Sequence, residues 1–339
     1  MTILTDLDAL LITTPTNIRY LTGFVGVENR DAYVLLTKNK TYFFTNSLYM
    51  EQAKKLSPIQ ISKEYPISKA LQDLKITTLE FEENNLTVAE YNKLAKLFTL
   101  VPTQNRIEKL RQIKRPDEMA NIKLATTITD QCFKFLMHRI RPGTTESRLA
   151  LEIEGFLRSR GAECAFSPIV AFNEHSSQPH YHVRSVNPLR RGSLILLDFG
   201  AKINGYCADM TRVVFIGPPK ADWKVAYQTV LAAQQKALNL LASGERNGAV
   251  LDRAAKTVIT ESGFPVYPHS LGHNIGLDVH ETPRLTTKKP AVLKSGMVFS
   301  VEPGVYRAGR YGIRVEDLVR LTDTGIQVLT RSPKAMITL

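Results

Sequence analysis

No C-x-x-C pair occurs in this 339-residue chain, and its three cysteines, Cys132, Cys164 and Cys207, are odd in number and widely spaced. Neither a disulfide framework nor a thiolate zinc site is indicated. Long apolar runs are missing too, since nothing approaches the roughly 20 residues that a membrane helix needs. The opening MTILTDLDALLITTPTN has two early aspartates and no basic segment, which is not the pattern of a secretory signal. These absences set the expectation of a cytoplasmic protein with no membrane partner. Blocks of like charge are also lacking. The net charge is +12, with 13 basic and 12 acidic residues in 1–110 and hence 31 basic and 20 acidic in the remainder. That excess is scattered in short pairs such as Arg190-Arg191 and Lys288-Lys289. Nucleic-acid affinity needs clustered phosphate contacts, so the expectation is a solvated basic surface and no nucleic-acid partner.

The chain is long enough for two domains and a sizeable core. In its first hundred residues, AYVLLT and TYFFTN flank KNK as a β-hairpin, and TTLEFEE reads as a further strand. TVAEYNKLAKLF opens with Thr87 and Glu90 at capping-box spacing and then sets Leu94, Leu97 and Phe98 on one helical face. A basic stretch, NRIEKLRQIKRPDE, leads into a helix that starts at Pro116 and buries Ile122, Ala125, Ile128, Cys132 and Leu136. The boundary falls near 105–115, giving an α/β domain over 1–110 and a second domain over 111–339. Helices around 145–160, 222–243 and 247–262 are each followed by a glycine suited to a left-handed cap: Gly161, Gly244 and Gly263. Between them lie the strand-like runs SLILLDFGA, DMTRVVFIG, MVFSVEPG and IRVEDLVRLT.

Histidine is scarce, yet HSLGHNIGLDVHE concentrates three of the chain's seven between His269 and His280. Its spacing is not that of a zinc-protease helix, because the His-Glu-x-x-His order is absent. Gly272 and Gly276 flank His273 and fit a turn or a closely approached backbone, since glycine within a helix costs about 1 kcal/mol against alanine.

Two segments of the second domain repeat one another. RRGSLILLDFGAKINGYCADMTRVVF and KSGMVFSVEPGVYRAGRYGIRVEDLVRL each reach an acid six residues after a glycine, Asp198 and Glu302, followed by a glycine two residues on. Each carries a second acid four residues after a returning glycine, Asp209 and Glu316. The pattern predicts two related half-domains, each offering a hairpin with one acid on each strand, packed about a pseudo-two-fold axis. Four buried carboxylates would then repel and desolvate one another unless compensated. Arg212 and Arg314 are near in sequence, but two divalent cations match the charge better, with neutral His273 completing the donor set. Oxygen-rich ligation with one nitrogen suits Mn²⁺ or Co²⁺, with Zn²⁺ as an alternative.

LDFGAKINGYCADMTR, HSLGHNIGLDVHE, VEPGVY and GIRVED resemble the metal-dependent peptidases of the pita-bread fold, the family that includes methionine aminopeptidase, aminopeptidase P and prolidase. TNIRYLTGFVG, Thr16 to Gly26, resembles the creatinase/prolidase N-terminal domain. The resemblance implies an α/β N-terminal domain followed by an α+β pita-bread catalytic domain. It implies that Asp198 binds one metal, that Asp209 and Glu316 bridge both, and that His273 and Glu302 complete the other. His180 matches the family's substrate-side histidine, His269 and His280 match histidines bracketing the ligand, and Arg314 matches an arginine that pairs with the metal-site carboxylates or the substrate. Tyr306 follows the EPG turn as in relatives, His182 has no counterpart and reads as a surface residue, and Asn274 stands where many members carry glycine. The implied chemistry is attack by a hydroxide bridging two Mn²⁺ ions, with Glu302 moving the proton and His269 and His280 hydrogen-bonding the carbonyl or oxyanion. The N-terminal domain favours the Xaa-Pro branch, a proline-containing peptide substrate and a homodimer. Aminopeptidase P-like activity is the first expectation and prolidase-like dipeptidase activity the second. A metal-free creatinase does not fit, because all five ligand positions are present; a non-enzymatic pita-bread binding module is a more distant alternative.

Overall fold

The computed structural model describes residues 8–26, 31–56, 60–62 and 67–339. The first seven residues of the segment read above as no secretory signal lie outside the described residues. The chain divides into two compact units, Met1–Arg111 and Gln112–Leu339.

The first unit is built on strands β1 (Ala9–Ile12), β2 (Ala32–Thr37), β3 (Thr41–Thr45), β4 (Gln60–Ser62), β5 (Thr78–Glu82) and β6 (Thr99–Thr103) in the order β4-β3-β2-β1-β5-β6. β1, β2 and β3 run antiparallel, while β5 and β6 join parallel, as expected where a helix makes the crossover. Helices α1 (Pro15–Thr22), α2 (Met50–Leu56), α3 (Ile67–Asp73), α4 (Val88–Ala95) and α5 (Arg106–Arg111) complete it. Apolar side chains fill both sheet faces, with Leu11, Leu35 and Leu79 in one cluster and Leu10, Ile12 and Val34 in the other. The capping box of α4 is present: Thr87 Oγ1 accepts from Glu90 N while Thr87 N donates to the Glu90 carboxylate. That helix ends at Ala95, however, so Leu97 lies past it and is 49% exposed, whereas Leu94 and Phe98 are buried.

The second unit repeats one order of elements twice. The first half runs α6 (Pro116–Met137), α7 (Glu146–Ser159), β7 (Glu163–Cys164), β8 (Ile169–Phe172), β9 (Leu194–Asp198), β10 (Ala201–Ile203), β11 (Tyr206–Cys207), β12 (Thr211–Phe215). The second runs α8 (Ala221–Ala242), α9 (Gly248–Glu261), β13 (Gly272–Asn274), β14 (Glu281–Leu285), β15 (Val298–Val301), β16 (Gly304–Arg307), β17 (Tyr311–Arg314), β18 (Asp317–Thr322). In each half an outer antiparallel pair, β9·β12 or β15·β18, is interrupted by an inner hairpin, β10·β11 or β16·β17. β19 (Gly325–Val328) and β20 (Ile337–Thr338) extend the two larger sheets.

Gly161, Gly244 and Gly263 all have positive φ just past their helices, at 71°, 102° and 79°. The face of α6 identified from its period is buried, with Ile122, Ala125, Cys132 and Leu136 fully enclosed. Arg212, 1% exposed, ties the halves together. It donates to the Asp317 carboxylate at 2.7 Å and to the carbonyls of Thr211, Glu316, Ser332 and Pro333. Removing one member of such a pair strands the other charge, so Arg212→Ala is expected to lower unfolding stability by about 3–5 kcal/mol, read from denaturant midpoints. A loss under 1 kcal/mol would mean that Asp317 is served by Lys334 alone, which also reaches it at 2.7 Å. Among the described residues no helix is long and apolar enough to cross a membrane.

Candidate active site

The four acids occupy equivalent places in the two halves, where each outer strand pair meets its inner hairpin. Asp198 ends β9 and Asp209 lies two residues before β12; Glu302 follows β15 and Glu316 precedes β18. The expectation of one acid on each strand is thus corrected for three of them, which sit in the junctions. The reason is steric, because the ladder has to open where the inner hairpin turns away. All four line one cleft of about 1120 Å³ together with His180, His269, His273, His280 and Arg314.

His273 is central to β13, and its position depends on close backbone approach. A Cβ on Gly272 would stand 1.8 Å from the Ser300 carbonyl oxygen, and one on Gly276 2.6 Å from the Glu281 carboxylate. Ser300 Oγ accepts from His273 N at 3.1 Å and donates to Glu302 Oε1 at 3.2 Å. Gly272→Ala is therefore expected to cost about 3 kcal/mol or more and to weaken metal binding, measured by thermal unfolding with and without cation. A variant as stable as the parent would show that β15 can retreat from β13.

His273 Nε2 lies 3.4 Å from Glu302 Oε1 and 3.7 Å from Asp209 Oδ2. Asp209, His273 and Glu316 each offer a ligand atom within 4.8 Å of the others. Burial drives the His273 pKa down to about 3, with His280 adding to the effect, so the imidazole is neutral and its lone pair available. Burial and mutual repulsion hold Asp209 and Glu316 well above the usual carboxylate range and bring Glu302 up to about 7. Asp198 Oδ1, Asp209 Oδ1 and Glu316 Oε1 are buried without a hydrogen-bond partner. An isolated buried carboxylate oxygen is costly, and Asp209 and Glu316 with the neutral His273 imidazole form a donor set that a divalent cation fits, with Asp198 lining the same cleft.

Arg314, at the end of β17, organises the remaining oxygens. It donates to Asp198 Oδ2, to Thr211 Oγ1 at 2.9 Å and to the Tyr306 hydroxyl at 2.7 Å. Thr211 in turn donates to Glu316 Oε2 at 2.8 Å. The residues matched to metal ligands are thereby linked across the halves through one guanidinium and one hydroxyl. Thr211 was missed in the sequence, where it looks like any strand-initial threonine.

His269 departs from expectation. Its Nδ1 is 2.8 Å from the Ser270 carbonyl, which fixes the proton there, and its Nε2 is 3.0 Å from the Tyr306 hydroxyl. Burial, followed by the Arg314 charge, lowers its pKa to about 3. The neutral ring then has no N–H left for a substrate oxygen, so the expected oxyanion donor is absent at this position. His280 is exposed, with its ring centroid 4.4 Å from that of His273, and His180 is exposed in the coil beyond β8. His182 is exposed on the cleft wall.

Arg284 was also missed. It stands on β14 directly opposite His273 on β13, so both side chains share a sheet face. It lines the cleft with no ion pair within 4.0 Å among the described residues, although its charge acts on Glu302 from further off. Only strand pairing, invisible in the one-dimensional spacing, brings it there.

Residues 120–323 match the family described as Metallopeptidase family M24, and residues 5–113 match the Creatinase/Prolidase N-terminal domain. The Xaa-Pro dipeptidase of Pyrococcus horikoshii is 32% identical over 98% of this chain and 95% of the relative. Among solved structures, the Xaa-Pro dipeptidase from Bacillus anthracis superposes with a TM-score of 0.92 at 36% identity, covering 98% of this chain and 95% of that one. The X-Pro aminopeptidase from Thermotoga maritima does so with 0.89 at 33% identity, covering 98% of each.

Proposed function

Because this chain belongs to metallopeptidase family M24, with a creatinase/prolidase N-terminal domain before a pita-bread catalytic domain, we propose that it hydrolyses the bond between a first residue and proline in dipeptides and short peptides. The observation that carries the reading is the group of Asp209, His273 and Glu316, whose ligand atoms lie within 4.8 Å of one another and whose carboxylates keep partnerless buried oxygens, as does Asp198 in the same cleft. Asp198, Asp209, His273, Glu302 and Glu316 would hold two divalent cations, Mn²⁺ first among them. Bound there, the cations supply a water acidic enough to serve as hydroxide near neutral pH and a positive charge that polarises the scissile carbonyl.

The protein's own groups do the rest. Glu302 can take a proton from the nucleophile and hand it to the departing proline nitrogen. His180 and His280 keep ring N–H groups for the carbonyl and the developing oxyanion. Arg314 is committed to Asp198, Thr211 and Tyr306, which makes it a positioning residue.

Dipeptides are the preferred substrates in this proposal, ahead of the longer peptides expected from the sequence. An unpaired Arg284 beside His273 is placed to receive a carboxylate, and in a dipeptide the substrate's own carboxylate lies one residue beyond the scissile bond. The size of the cleft favours a second, aminopeptidase reading. The assay compares a Xaa-Pro dipeptide, a Xaa-Pro-Yaa tripeptide and a non-proline dipeptide with Mn²⁺-loaded protein. The expected order places the Xaa-Pro dipeptide first, and Arg284→Met is expected to raise its KM about 10- to 100-fold while leaving the amidated dipeptide nearly unchanged. Preference for the tripeptide restores the aminopeptidase reading, and preference for the non-proline control removes proline from the proposal. A homodimer, read by light scattering, and a cytoplasmic location complete it.

A further inference from the structure

Residues 178–187, which carry His180, form no helix or strand, yet their position on the cleft wall is tied to a buried acid that the chemistry above does not use. Glu146, in the first turn of α7, is fully buried. Its Oε1 accepts from Phe172 N at 2.6 Å and from His175 Nδ1 at 2.8 Å, and its Oε2 accepts from the Tyr181 hydroxyl at 2.9 Å. The His175 and Tyr181 rings stack at 4.7 Å with 17° between their planes. One hydroxyl thus gathers both its own loop and the helix behind it.

A second anchor leads to the other side of the site. Ser176, in the 3-10 turn Asn173–Ser177, accepts from Gly312 N at 2.7 Å, and Gly312 lies on β17 two residues before Arg314. A Cβ on Gly312 would stand 1.9 Å from the Ser176 carbonyl oxygen. The turn is therefore held by β17 on one side and by Glu146 on the other, and His180 emerges three residues after it.

We propose that Glu146, His175 and Tyr181 form a clamp that positions His180 at the cleft, with Glu146 as the fixed point and Tyr181 as the arm. The inference rests on the peptidase reading only for the importance of His180; the clamp itself has a test independent of activity. Tyr181→Phe deletes one oxygen and keeps the ring that packs on the core. Hydrogen exchange is expected to accelerate in the peptide covering 178–187 of that variant and to stay unchanged over α8 and α9. In turnover, Tyr181→Phe is expected to lower kcat/KM about tenfold in the parent and less than twofold in a His180→Ala background. Glu146→Gln, which keeps the shape but loses charge, is expected to show the same pattern in milder form. Unchanged exchange over 178–187 or equal losses in both backgrounds overturns the clamp, whereas full activity of His180→Ala overturns the role of His180 that the clamp is proposed to serve. If the parent cleaves no Xaa-Pro peptide, the functional reading fails by itself and exchange alone decides the matter.

Discussion

Glu302→Gln protein is expected to retain a divalent cation and to lose about a thousandfold in kcat. Glutamine keeps the volume and one oxygen for Ser300 Oγ, which donates to Glu302 at 3.2 Å, so the junction after β15 should survive. What disappears is a group able to accept a proton. In the metal-free protein burial raises the Glu302 pKa to about 7, against the pull of the Arg314 charge, and beside a cation the group is a carboxylate able to accept the nucleophile's proton. The remaining donors, Asp198, Asp209, His273 and Glu316, leave one ion well provided. Metal content by atomic spectroscopy and turnover of a Xaa-Pro dipeptide are measured on the same preparation. Near-parental turnover would remove Glu302 from proton transfer, while loss of all metal would recast it as a ligand before anything else.

Much of this site was legible because the repeat places chemistry at fixed distances from glycines. Asp198 and Glu302 were matched through Gly192 and Gly296, and Asp209 and Glu316 through Gly205 and Gly312, without knowledge of any pairing. The helices were legible for a local reason, since the period of α6 and the left-handed glycines after α7, α8 and α9 are properties of neighbouring residues. Non-local pairing hid the remainder. Arg284 faces His273 only once β13 and β14 are in register, and Thr211 meets Glu316 only where the halves close. His269 shows the limit most plainly: the family resemblance implied an oxyanion donor there, but the backbone carbonyl of Ser270 sets its tautomer and Tyr306 takes its remaining nitrogen. No motif records the direction of a carbonyl. Glu146 is similar, an acid in a helix's first turn that reads as ordinary capping until Phe172, His175 and Tyr181 converge on it.

Titrating metal-free protein with Mn²⁺ at pH 7 should release protons, roughly one or more per chain. Asp209, Glu302 and Glu316 all have pKa values raised by burial, so part of the metal-free population holds protons that an incoming cation must expel. The same shifts set the pH dependence of stability. A carboxylate whose folded pKa is raised contributes stability below its unfolded pKa and loses it as pH rises through the folded value; for Glu302, from 4.5 to about 7, the loss is on the order of 3 kcal/mol. His269 and His273 oppose this at lower pH, because a histidine held near 3 contributes fully above about 6.5 and loses that contribution as pH falls toward 3. Above about pH 7.5 the histidines are neutral in both states, and the raised carboxylates set the sign of the slope. Metal-free protein is therefore expected to lose stability from about pH 7.5 to 8.5, while saturating Mn²⁺, worth about 4 kcal/mol at a thousand times Kd, restores it. The gap in melting temperature between chelator-treated and Mn²⁺-loaded samples should widen across that interval, and calorimetry in buffers of different ionisation enthalpy counts the protons. A gap that narrows with rising pH, or binding without proton release, would mean that the four acids are already charged and compensated by something other than a cation.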